Sequence, residues 1–163
     1  MVYKKNLFVF VFIFFMIISC YHSYFDENKT IEIGEFSEDV NIPKRSISFD
    51  FKKNIEDYIM KHNPSNLVLK NGDVVLKCVF LNYAIIPLEN CPLKKIRVTA
   101  KISYIDNSEP KKSWEKHFVI SEVFSKNEKN VFSKEIIDKI IEKLTTQVYY
   151  KIFYDFNNNL NNR

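Results

Sequence analysis

Six side chains in this sequence have chemistry beyond packing: the thiols of Cys20, Cys78 and Cys91 and the imidazoles of His22, His62 and His117. A thiol beside an imidazole can act as nucleophile and base, and a convergent set of both can hold a metal. Neither spacing is present. The histidines fall in an N-terminal stretch, at a helix end and on a strand, and no local signature joins Cys78 or Cys91 to His117. The two glycines, Gly34 and Gly72, lack the spacing of a phosphate-binding loop, and the carboxylates are scattered rather than paired. These residues point to a binding or assembly module, with no catalytic residue, cofactor or metal expected. Cys78 and Cys91 could close a loop containing Pro87 and Pro92 in an oxidising compartment. A buried thiol at Cys78 is equally ordinary, and no disulfide is expected.

Cys20 does stand in a chemical pattern. Lys4 and Lys5 precede an unbroken apolar run of twelve residues from Leu7 to Ile18, and Ser19 and Cys20 follow. A membrane-spanning helix needs roughly 20 apolar residues, so the run is too short to cross, and a basic start with a short apolar middle is the layout of a secretory signal. Ile17-Ile18-Ser19-Cys20 resembles the bacterial lipobox: aliphatic residue, tolerant position, small residue, cysteine. A peptidase must seat a small residue beside the scissile bond, and the cysteine sulfur then carries a diacylglycerol. Cys20 is therefore the expected lipid attachment site and mature N-terminus. An ordinary signal, or a short uncleaved anchor with an incidental cysteine, is the alternative. The polar Tyr21-His22-Ser23 that follows favours the lipid.

Cleavage there leaves 144 of the 163 residues, a length suited to one domain with a real core. The formal charge of +4 falls to +2 once Lys4 and Lys5 are cut away. A nearly neutral exported chain argues against a nucleic-acid partner. The expected organisation is a lipoprotein signal over 1–19, a lipidated tether over 20–28, one α+β domain over 29–157 and a polar tail over 158–163.

The elements follow from periodicity. "KTIEIGEF" alternates Ile31 and Ile33 with Glu32 and reads as a strand. Ser46 can cap a helix bearing Ile47, Phe51, Ile55, Tyr58 and Ile59, which stops near Asn63-Pro64. "DVVLKCVFLNYAIIPL" has period two, with Val74, Leu76, Cys78 and Phe80 on one face and Val75, Lys77, Val79 and Leu81 on the other. Both faces are largely apolar, so it reads as a central strand. In "KIRVTAKISYID", Ile96, Val98, Ala100, Ile102 and Tyr104 alternate with Arg97, Thr99, Lys101 and Ser103, giving one buried and one wet side. Asp106 to Pro110 reads as a turn, and "KSWEKHFVIS" returns with Trp114, Phe118 and Ile120 inward. A long amphipathic helix from Ser133 to about Asn157 carries Ile137, Ile140, Ile141, Leu144, Val148, Ile152 and Phe156. The order predicts a two-layer α+β sandwich, two helices on one face of a four-stranded mixed sheet, with the first helix crossing over between parallel strands.

The segments "KTIEIGEF", "NGDVVLKCVFLNYAIIPL" and "IRVTAKISYIDNSEPKKSWEKHF", followed by the long terminal helix, resemble the LPS-assembly lipoprotein LptE family, in its divergent branch with a "CGVYSF"-like mature start. Here that start is Cys20-Tyr21-His22-Ser23-Tyr24, shorter and without the glycine. The resemblance covers nearly all of the mature chain and is best from Arg97 to Phe118. It implies a lipid-anchored outer-membrane subunit that faces the periplasm, sits inside the β-barrel LptD, helps it assemble and assists lipopolysaccharide delivery to the cell surface. In that setting Arg97, Thr99 and Lys101, with Lys77 on the neighbouring strand, could meet lipid phosphates or the polar wall of a barrel lumen. An ordinary solvated sheet face is the alternative for those residues. A freestanding periplasmic lipoprotein, acting as an envelope scaffold or lipid-binding module, is the alternative for the chain.

Overall fold

The computed structural model describes residues 28–40, 45–89, 91–125 and 132–154. The signal, Cys20, most of the tether and the polar tail lie outside the described residues.

Strand β1 is Ile31–Glu38, and its Ile31 and Ile33 face inward as the alternation requires. Helix α1, Ile47–His62, is tied to the end of that strand by its cap. The Ser46 hydroxyl accepts from the Phe49 N–H at 3.3 Å. The Glu38 carboxylate accepts from the Ser48 N–H at 2.9 Å and from both serine hydroxyls. Two orphan N–H donors at the helix start are thereby satisfied, and a negative charge sits where the helix dipole favours it. Burial opposes the Glu38 carboxylate, yet the Ser46 hydroxyl and the Ser48 N–H and hydroxyl together hold its pKa below the usual carboxylate value. Ile47, Phe51, Ile55 and Ile59 are fully buried, as their spacing demands. The helix stops at Asn63, ahead of Pro64.

The chain then forms strand β2, Leu67–Val68, parallel to β1. Strands β3, Val74–Pro87, β4, Leu93–Asp106, and β5, Trp114–Ser125, complete a sheet ordered β2-β1-β3-β4-β5. The expected four-stranded sheet thus has five strands. A two-residue strand offers no alternation to read, and it exists because β1 presents a backbone edge beside it. β1 is parallel to β2 and β3, whereas β3, β4 and β5 run antiparallel in turn. The crossover from β1 to its parallel neighbour β3 therefore runs through α1 and then through the sheet edge at β2. Gly72 lets the loop between β2 and β3 pass close to β1: a Cβ there would lie 2.6 Å from the Glu32 nitrogen.

Helix α2 is Lys134–Phe153, about 30 Å long at 1.5 Å per residue. It is shorter than the expected run to Asn157, and Phe156 lies outside the described residues. Ser133 occupies the cap position without making a side-chain capping bond. The buried stripe is also wider than the expected one, since Ile136, Tyr149 and Phe153 join it. Both helices pack on one sheet face and against each other, and one core cluster holds their apolar stripes with the inward residues of β1, β3, β4 and β5.

Candidate functional site

Residues alternate across a pleated strand, so the face opposite the helices is set by register. In β4 it carries Arg97, Thr99, Lys101 and Ser103, as the alternation predicted, while Ile96, Val98, Ala100 and Ile102 are at most 1% exposed on the other side. β3 departs from expectation. Phe80 faces Ala100 but Asn82 faces Thr99, so Leu81 is the extra residue of a bulge. The outward set of β3 is Val75, Lys77 and Val79 and then Asn82 and Ala84, and Leu81 does not continue it. A one-residue shift moves every later side chain to the opposite face.

The candidate residues share one surface but form two groups. Lys77 lies opposite Ser103 and Val79 opposite Lys101, so Lys77 and Lys101 are diagonal neighbours. Arg97 lies opposite Ala84, four residues further along β4, and Thr99 is half-buried between them. Electrostatics separates them again. The Lys101 ammonium is 3.4 Å from the Glu115 carboxylate on β5, which also accepts from the Ser103 hydroxyl at 3.1 Å. Arg97 and Lys77 are exposed and carry no ion pair among the described residues. Around them the face is partly apolar: Val119 and Val123 are 54% and 47% exposed. Two exposed cations with no ion pair among the described residues, on a mixed apolar and polar sheet face, can bind spaced anionic groups, and a guanidinium can grip one phosphate through two donors.

No nucleophile and base pair forms from Cys78 and His117. Cys78 points into the core, where burial pushes its thiol pKa up, and His117 points outward from β5. Cys91 lies beyond Leu93 in the β3–β4 turn, about 26 Å along the strand from the level of His117 at 3.3 Å per residue. Cys78 and Cys91 are both free thiols. Among the described residues no three His, Cys, Asp or Glu side chains converge, and no helix is long and apolar enough to cross a membrane.

At the end of the sheet where β1 begins, the turn read as Asp106 to Pro110 holds a charge network invisible in the sequence pattern. Asp106 is 1% exposed; its carboxylate receives Lys29 at 2.6 Å, the Glu109 N–H at 2.7 Å and the Ser108 N–H and hydroxyl at 3.0 and 2.8 Å. Glu109 joins Lys29 and Lys112, each at 2.8 Å. Burial works against both buried charges, but the hydrogen bonds and opposite charges outweigh it, lowering the Asp106 pKa and raising that of Lys29. Asp73 accepts from the Thr30 N–H and hydroxyl beside it. Beside this network α2 and the start of β5 form a groove of about 420 Å³, lined by Lys116, Phe118, Tyr150, Lys151 and Tyr154.

No family model matches the chain, and no curated protein matches it. Among solved structures it is similar to the hypothetical protein CT253 from Chlamydia trachomatis, with 9% identity over 76% of this chain and 98% of that one and a TM-score of 0.49. It is also similar to PelC from Paraburkholderia phytofirmans, a dodecamer, with 8% identity over 74% and 86% and a TM-score of 0.48. A third likeness is to rare lipoprotein B from Shewanella oneidensis, with 9% identity over 74% and 89% and a TM-score of 0.41. Likenesses this distant assign neither an activity nor a partner.

Proposed function

We propose that this chain is an LptE-like lipoprotein: anchored to the outer membrane through lipidated Cys20, it enters the lumen of an LptD-like β-barrel, supports its assembly and contacts lipopolysaccharide in transit. The observation that carries this reading is the outward sheet face, on which Arg97 and Lys77 are exposed and make no ion pair among the described residues, opposite the face on which both helices pack. A barrel lumen is polar and offers both carboxylates and carbonyls to such a face, and the phosphates of lipopolysaccharide offer anions. The lipobox-like Ile17-Ile18-Ser19-Cys20 supplies the anchor, and the LptE resemblance supplies the partner class. No catalytic step belongs to this role.

Purification of the lipoprotein in mild detergent tests the reading. A stoichiometric β-barrel should co-purify with it. A chain that emerges alone under conditions that leave other envelope complexes intact would overturn the barrel role and leave the freestanding envelope module.

A further inference from the structure

β5 is an edge of the sheet, with β4 on one side and no described strand on the other. Its 12 residues contain no proline and pair with β4 without a break in register. A regular edge of this length is a template for another strand.

The ladder decides which backbone groups are on offer. The Asn107 N–H donates to the Asp73 carbonyl at 2.8 Å, so Asn107 and every second residue before it turn their backbone groups toward β3. The even-numbered residues of β4 turn theirs toward β5, where Ala100 meets Phe118 and Ile102 meets Lys116. Glu115, His117, Val119, Ser121 and Val123 therefore point their N–H and C=O groups out of the sheet. The Lys143 ammonium, 3.5 Å from the Ser121 carbonyl, agrees with that direction.

Two copies of such an edge can join antiparallel about a twofold axis, and registers that oppose odd with odd residues let these groups bond. Side chains then select among the registers. With Val119 opposite Val119 of a second copy, Lys116 falls opposite Glu122 of that copy, Phe118 opposite Ile120 and Trp114 opposite Phe124. Moving the axis by one residue sets Glu122 against Trp114 in one direction and against Phe118 in the other. Inward-pointing charges on an edge keep foreign strands away, yet Lys116 and Glu122 match each other when the same strand is inverted. Glu122 already pairs with Lys143 of its own chain, and a carboxylate has room for a second cation. Val119, 54% exposed in the single chain, lies on the axis and would be covered.

We propose that β5 is a self-pairing edge, through which two copies of this chain join antiparallel about Val119 into one continuous sheet with both helix layers on the same side. The pair goes beyond the proposed role and does not rest on it. It is the form of the chain outside a barrel, and entry of one chain into a lumen must break it.

Cysteine cross-linking tests the register. The full-length chain carrying Cys91→Ser, made without a barrel partner and held in mild detergent, is oxidised with copper phenanthroline, and that chain alone sets the background from Cys20 and Cys78. Val119→Cys in this chain should cross-link to its own copy, because paired Cα atoms about 5.5 Å apart are within disulfide reach. Val123→Cys, about 26 Å along the strand from its own copy in this register, should stay at background. Adding Lys116→Glu, which sets like charges opposite each other twice, should slow Val119→Cys cross-linking about tenfold. Lys116, Val119 and Val123 are exposed, so each variant should keep the fold. Equal cross-linking at the two cysteines, or a Val119→Cys rate indifferent to Lys116→Glu, overturns the pairing. So does a wild-type chain that sediments as a monomer, which leaves this edge to an extended segment of another protein.

Discussion

The Lys29 ammonium lies 2.6 Å from the buried Asp106 carboxylate, which joins residues 77 positions apart and pins the start of the domain to the β4–β5 turn. The carboxylate also accepts two backbone N–H groups from that turn, so its charge organises three segments.

Asp106→Asn should therefore cost about 2 kcal/mol near neutral pH, because Lys29 loses the buried one of its two carboxylate partners and keeps only the more exposed Glu109. The Asp106 pKa is lowered in the folded state, so its contribution is present above the unfolded carboxylate value near 4 and is lost as pH falls through the lower folded value. Urea titrations should show wild type and variant converging below about pH 4. A gap that stayed constant down to pH 2 would remove the charge from the explanation.

Leu144 is 1% exposed and shares one core with Ile102, and Trp114 packs against the margin of that core. Leu144→Ala should destabilise the domain by roughly 2 to 5 kcal/mol through lost burial and a residual cavity. Denaturant midpoints read the effect, and a loss below about half a kcal/mol would place this side of α2 outside the core.

Gly72 approaches the backbone of Glu32 so closely that a Cβ must displace main chain rather than a flexible side chain. Gly72→Ala should cost about 2 kcal/mol, in the range of overpacking, and loosen amide-exchange protection first in β2 and the start of β1. Unchanged protection there would show that the loop yields without strain.

Cys20→Ala should abolish fatty-acid labelling and release the protein from the membrane fraction. Each buried methylene contributes about 0.8 kcal/mol, so several acyl chains hold firmly where none is weak. Labelling that persists in the variant would exclude Cys20 as the attachment site.

Arg97→Glu should weaken lipopolysaccharide or barrel association more than Lys101→Glu. Arg97 makes no ion pair among the described residues and can grip a phosphate bidentately, whereas Lys101 already faces Glu115. Both positions lie on the sheet face away from the core, so circular dichroism should report an intact fold in each. Equal and wild-type affinity for both ligands would return this face to plain solvation.

Sequence by itself determined the parts of this protein whose signal is local. The expectation of a lipidated leader rests on local signal alone, the length of the apolar run from Leu7 to Ile18 and the small residue before Cys20. Ile96 to Tyr104 and Ile47 to Ile59 announce a half-buried strand and a one-sided helix because side-chain periods of 2 and 3.6 are properties of the backbone. Even the cap at Ser46 is legible, since its partner is three residues away. Only the tertiary structure decided what depends on distant segments. β2 exists because β1 offers it an edge, and the bulge at Leu81 turns Asn82 outward because β3 must keep pairing with β4 across one extra residue. Lys101 is paired with Glu115 on another strand, while Arg97 makes no ion pair among the described residues. Asp106 reads as a turn former until Lys29 arrives from 77 positions away. Register and charge pairing are set by which strands meet, and a local pattern of residues carries no information about that meeting.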